Sequence, residues 1–143
     1  AKTRKYNSFQ LTVRSTINVN ATGGNKSAGI GGGYGSDNAS SSVACGDITI
    51  SGGTINATGG SYSLGIGSGN GESHEGTCGD ITITTGVTSV TATKGSGAPY
   101  SIDKSIIGNC GKIKIGGTTY YDGSEFHHSG DTYLANSPFN YQP

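Results

Sequence analysis

The stretch CGDITISGGTINATGG, Cys45 to Gly60, returns as CGDITITTGVTSVTAT, Cys78 to Thr93, and again, shortened, as CGKIKIGGTTYY, Cys110 to Tyr121. The cysteines that open the copies are 33 and 32 residues apart. A glycine phrase repeats as well: SAGIGGGYG, Ser27 to Gly35, becomes SLGIGSGNG, Ser63 to Gly71. Repeats of this length are single supersecondary units that cannot bury an apolar face alone and must stack on their neighbours.

Within each copy the apolar residues alternate. Ile48 and Ile50 point one way while Asp47 and Thr49 point the other, and Ile81/Ile83 and Ile113/Ile115 repeat the pattern. Period-two alternation marks a half-buried strand. Leu11 and Val13 fit the same slot one unit earlier. A second strand carries Val19 and Ala21, then Ile55 and Ala57, then Val90 and Ala92. A third segment carries Ala28 and Ile30, then Leu64 and Ile66, then Ile102 or the Ile106–Ile107 pair. Gly-Gly pairs and Ser/Thr clusters separate the strands, as turns require. No stretch shows helical periodicity.

Three short strands recurring in fixed order predict an all-β chain, a right-handed parallel β-helix or β-solenoid of about three to four coils, each rising ~4.8 Å. An antiparallel sandwich also has many short strands, but hairpins do not explain why equivalent strands keep their order. The whole chain, 1–143, is expected to form one domain: 1–16 a partial first coil, 17–119 the repeats, and 120–143 a C-terminal cap. Such a stack needs covers at its open ends. Tyr120, Tyr121, Phe126, Tyr133, Leu134, Phe139 and Tyr141 supply an aromatic one.

Nine basic and nine acidic residues cancel, so there is no basic stripe to neutralise phosphates and nucleic acid is not expected as a partner. No apolar run approaches the ~20 residues of a membrane span, so insertion into a membrane is not expected. Only 31% of residues are hydrophobic and 27 are Gly. Zero net charge and regular apolar pairs point to a thin repetitive core rather than to disorder.

Several constellations could carry chemistry. Cys45, Cys78 and Cys110 share one slot and form a structural ladder, read first as three unpaired thiols and second as one disulfide plus a free thiol. Asp47, Asp80 and Lys112 form a column beside it. Asp47 and Asp80 are candidate metal ligands, and calcium is the ion such oxygens suit; a solvated ion pair with Lys112 is the competing and favoured reading, and no bound cofactor is otherwise expected. Tyr34, Tyr62 and Tyr100 recur near the glycine phrase. They are candidate ligand-binding residues, able to stack on sugar rings, or else shields for the coil edge. Thr49, Thr82, Thr84, Thr91 and Thr93 form outward rows, suited to ice or simply to exposed strands. Glu72, His74 and Glu75 share one loop, a poor place to hold acid and base in register, so no catalytic residue is assigned. The variable loops, Gly33 to Ala44 and Gly67 to Thr77, are either a binding face or tolerated insertions.

The phrases SAGIGGGYG, GDITISGGTINATGG and LGIGSGNG, with the tail GTTYYDGSEFHHSGDTYLANSPFNYQP, resemble the glycine-rich repeats of secreted or surface proteins of gut Bacteroides-type bacteria. The likeness runs from about Ile17 onward. In the third unit SIDKSIIGN replaces the glycine phrase, so a site built from three identical loops is in doubt. The resemblance implies an extracellular or cell-surface location. It also implies a non-catalytic binding or adhesion module, with a glycan or a host or bacterial surface component as partner. A purely structural stalk or tip domain, or a polysaccharide-degrading enzyme, is the alternative. Oligomeric state is not specified by these residues.

Overall fold

The ITI and IKI triplets and the TINAT and SVTAT pentads form strands in the computed structural model, which describes residues 9–11, 17–34, 45–70, 76–103, 108–109, 111–121 and 134–143. β-Branched residues dominate these segments, and they pack well on a pleated surface. In chain order the described strands are β1 (Phe9–Leu11), β2 (Asn18–Thr22), β3 (Ile30–Gly31), β4 (Ile48–Ile50), β5 (Thr54–Thr58), β6 (Ile66–Gly67), β7 (Gly76–Thr77), β8 (Ile81–Ile83), β9 (Ser89–Thr93), β10 (Ile102–Asp103), β11 (Gly108–Asn109), β12 (Ile113–Ile115), β13 (Thr118–Tyr121) and β14 (Phe139–Tyr141).

Corresponding strands of successive units pair with one another. One sheet runs β1-β4-β8-β12-β13, a second β14-β9-β5-β2, a third β10-β6-β3, and β11 pairs with β7. Every pairing between units is parallel and in register: Ile48 faces Ile81 and Ile81 faces Ile113. Val19, Ile55 and Val90 line up likewise, as do Ala21, Ala57 and Ala92, and Ile30, Ile66 and Ile102. The three strand sets expected from the alternation are therefore three of the four sheets among the described residues, and the β7–β11 pair is an addition to them.

Register decides what is buried. Ile48, Ile50, Ile55, Ile66, Ile81, Val90, Ile102 and Ile113 are fully shielded from solvent. Each such side chain contributes roughly 1.5–3 kcal/mol on burial. Neighbouring units stack on both sides of Ile48, Ile55 and Ile66, whereas the antiparallel strands β13 and β14 lie beside Ile113 and Val90; a repeat unit of this kind does not bury its apolar face alone. A one-residue slip would turn every isoleucine outward, which fixes the register.

The first unit differs from expectation. Phe9 pairs with Ile48 and Leu11 with Ile50, so Phe9 and Leu11 hold the aligned positions; Leu11 and Val13 do not. Val13 lies outside the described residues. The alternating pattern alone could not place the pairing, since both choices keep Leu11 on one face.

Two antiparallel strands end two of the sheets. β13 folds back on β12 through Gly116 and Gly117, which have φ of 59° and 86°. A two-residue hairpin loop with both residues left-handed demands such glycines. The departure from the parallel pattern thus begins at Thr118, two residues before Tyr120. β14 pairs antiparallel with β9, setting Phe139 opposite Ala92 and Tyr141 opposite Val90. Tyr121, Leu134 and Phe139 are buried and belong to the same apolar core as the isoleucines. Phe126 and Tyr133 lie outside the described residues.

Candidate functional site

Beyond β2, β5 and β9 the chain makes the same β-turn in each of three units. The N–H of Ser27 donates to the Gly24 carbonyl, that of Ser63 to Gly60, and that of Ala98 to Gly95. The third residue of each turn is left-handed: Lys26 at φ 59°, Tyr62 at 58° and Gly97 at 83°. A turn with positive φ at its third position calls for glycine. Only the last unit complies. A left-handed lysine or tyrosine costs roughly 1–2 kcal/mol. Such residues persist where their surroundings over-determine them, and they cluster at functional positions.

The surroundings are visible. The Tyr62 N–H donates to the Ser96 carbonyl at 2.7 Å, and the Gly60 N–H to the Ser27 carbonyl at 2.9 Å. Ser61 Oγ donates to Asn25 Oδ1, joining two turns side chain to side chain. The Tyr62 ring lies over Gly97, where a Cβ would come within 2.5 Å of ring atoms Cδ1 and Cε1. The glycine therefore makes room for the ring of the preceding unit.

Asn70 ties the corner together. Its backbone N–H donates to the Lys26 carbonyl at 2.9 Å, and its side-chain Nδ2 to the Tyr62 carbonyl at 3.4 Å. Counting from the Gly31–Gly67 pair places Asn70 in the slot of Tyr34 one unit on. The Lys26 ammonium sits 5.0 Å from the Tyr34 ring centroid, a cation–π contact. Asn70 is 8% exposed, and its Oδ1 is a buried acceptor with no hydrogen-bond partner among the described residues. A buried acceptor left unpaired is costly and calls for a donor. The corner thus presents two exposed phenol rings, Tyr34 at 39% and Tyr62 at 48%, with an ammonium beside one of them.

The third tyrosine does not join them. Tyr100 is half-buried against the apolar core. Counting back from the Ile66–Ile102 pair sets it opposite Leu64, an inward slot. Near-regular spacing along the chain put the three tyrosines in one row; register separates them.

The acid column has a different role from the one its composition suggests. Asp47 Oδ1 accepts from the Asp80 backbone N–H at 2.8 Å, and Asp80 Oδ1 from the Lys112 backbone N–H at 2.8 Å. Each carboxylate fastens the entry of the next unit. No group of three or more His, Cys, Asp or Glu side chains gathers among the described residues. Just before this column Cys45 and Cys78 are joined in a disulfide, with Cα atoms 4.8 Å apart. The expectation of unpaired thiols fails for this pair, because in-register slots fall within disulfide reach. Cys110 lies outside the described residues, as do Glu72, His74 and Glu75.

The threonine rows divide between sheets. Thr49 and Thr82 stack on the first, followed by Lys114. Thr91 and Thr93 belong to the second, where they continue columns begun by Asn20, Asn56 and Thr22, Thr58. Lys26, Asn70 and the asparagine column were missed at the level of sequence. The signal that would have found them is the 36-residue offset that relates Asn25 to Ser61 and Asn20 to Asn56.

A family model described as a beta helix repeat matches residues 18–34 and 48–70, the segments that hold β2, β3, β4, β5 and β6. Comparisons with curated proteins and with solved structures return no match. The in-register parallel pairing and the matched segments together support a parallel β-helix repeat protein.

Proposed function

We propose that this chain is a non-catalytic, extracellular or cell-surface binding module whose ligand is a glycan, held at the corner formed by Lys26, Tyr34, Tyr62 and Asn70. The scaffold in this proposal is a right-handed β-solenoid of about three to four coils, with residues 120–143 as its C-terminal cap. The observation that carries the reading is the left-handed Tyr62, 48% exposed, whose ring is set on Gly97. A large ring kept in the open at a conformational cost is explained by what it contacts. Phenol faces stack on the apolar faces of sugar rings, and few rotamers are lost on binding because the ring is already placed. Asn70 Oδ1, which has no partner among the described residues, is an acceptor for a ligand hydroxyl or for a water that the ligand contacts.

A glycan array followed by calorimetry tests this. Binding to at least one glycan is expected. Tyr34→Ala and Tyr62→Ala should each weaken it about tenfold, or ~1.4 kcal/mol. Absence of binding to every glycan at high concentration would overturn the reading and leave a structural stalk or tip domain.

A further inference from the structure

The first unit carries two glycines that nothing among the described residues requires. In later units the same slots are filled by glycine for a visible reason. A Cβ on Gly60 would overlap the Gly24 carbonyl oxygen, one on Gly95 the Gly60 carbonyl oxygen, and one on Gly69 the Gly33 carbonyl oxygen. Each of these glycines lets the backbone of the preceding unit come close. Gly24 shares the slot of Gly60, and Gly33 that of Gly69. Around a Cβ on Gly24 or Gly33, however, no atom of the described residues lies within 4 Å, and neither residue has the positive φ that favours glycine. Both slots are shaped for a preceding unit.

The rest of that end agrees. β1, β2 and β3 are each the terminal strand of their sheet. The N–H groups of Thr54, Gly60 and Asn70 donate to the carbonyls of Ile17, Ser27 and Lys26 in the preceding unit at 3.0, 2.9 and 2.9 Å. Asn18, Gly24 and Tyr34 hold these slots one unit earlier, with no earlier unit among the described residues to accept from them. Val19 and Ala21 are half-buried where Ile55 and Ala57 are buried, and Ile17 is 44% exposed. Edge strands are commonly blunted by Lys, Pro or a bulge; β2, NVNAT, has none of these. The opposite end is closed on two sheets by the antiparallel strands β13 and β14.

We infer that this end is a protein-docking face, and that its occupant is one more parallel β-helix coil supplied by a partner polypeptide. The docked coil lies on β2 as β2 lies on β5, continuing the interface that already joins the units. Its carbonyls accept from the N–H groups of Asn18, Gly24 and Tyr34, its turn backbone fills the space beside Gly24 and Gly33, and its apolar residues cover Ile17, Val19 and Ala21. This is strand addition, in which main-chain hydrogen bonds supply affinity and the side-chain slots supply specificity. A second copy of this chain does not offer such a coil, because β13 and β14 end two of its sheets in the antiparallel sense. Sugar recognition at the tyrosine corner is not needed for this docking.

The test has two arms, both on the intact chain. In the first, Gly24→Ala and Gly60→Ala are compared by thermal unfolding. Gly60→Ala should lower the midpoint, because its Cβ meets the Gly24 carbonyl, whereas Gly24→Ala should leave it unchanged or raise it. In the second, a fluorescent synthetic peptide with the sequence of residues 18–34 serves as the probe coil, and its binding is followed by anisotropy. Binding should saturate, and Gly24→Ala in the chain should weaken it about tenfold. Hydrogen exchange with the peptide bound should slow at the amides of Asn18, Gly24 and Tyr34 and stay unaltered in β13 and β14. Absence of saturable binding, or binding indifferent to Gly24→Ala, would overturn the inference. Equal destabilisation by Gly24→Ala and Gly60→Ala would mean that the chain fills the slot itself, and would overturn it too. Dimers of the chain that Gly24→Ala disrupts would assign the face to a second copy, with the same consequence.

Discussion

Two stacks of corresponding residues show opposite habits. In Asp47–Asp80–Lys112 the two acids spend their side chains on the stack, because each carboxylate accepts the backbone N–H of the following unit. In Lys26–Tyr62–Gly97 the backbone repeats the same left-handed turn while the side chain changes at every step. Where chemistry turns inward along the stack, a column is scaffold. Where the turn is constant and the residue departs from the one the turn prefers, the proposed function places the contact with a ligand.

The comparison can be broken most forcefully at the entry to the acid column. The Cys45–Cys78 disulfide closes a loop over a sequence separation of 33. Loop entropy puts its contribution at about 3–4 kcal/mol. Cys45→Ser with Cys78→Ser should lower the urea midpoint accordingly, without changing glycan affinity in the protein that remains folded. Next in size is Asp80→Ala, which leaves the Lys112 N–H without its acceptor and should cost about 1 kcal/mol. Asp80→Asn keeps an acceptor oxygen and should recover most of that, again with binding intact.

The corner should behave in the reverse sense. Tyr62→Gly relieves the left-handed strain and should raise stability by roughly 0.5 kcal/mol, the glycine's own unfolded-state entropy offsetting part of the relief. The same substitution should abolish the tyrosine's share of binding. A gain in stability coupled to a loss of function is what a strained binding residue predicts. The smallest effect belongs to Lys112→Ala. Its backbone N–H remains bonded to Asp80, so the change should stay under about 0.5 kcal/mol by thermal unfolding.

The sheets were legible because alternation and repetition agree. Ile48, Ile81 and Ile113 have the same neighbours in sequence, and register only had to stack them. The first unit was legible in kind but not in register, since FQLTV offers two apolar pairs sharing Leu11. The corner was half legible. Tyr34 and Tyr62 stood out as aromatics near glycines, and the 36-residue offset also aligns Lys26 with Tyr62, but the residue letters do not reveal that this shared slot is left-handed. Asn70 was hidden for a similar reason. Its importance comes from carbonyls it meets across the stack, which no local pattern encodes. Tyr100 misled because spacing along the chain is not spacing between units once a residue is inserted.

The most direct measurement of the contrast between the two stacks is the affinity of Tyr62→Ala and of Asp80→Asn for one glycan that the unmodified chain binds, with both variants shown to be folded. A loss of about tenfold for Tyr62→Ala with Asp80→Asn unchanged is the expected result. Unaltered binding by Tyr62→Ala together with loss in Asp80→Asn would place recognition at the acid column and contradict this account.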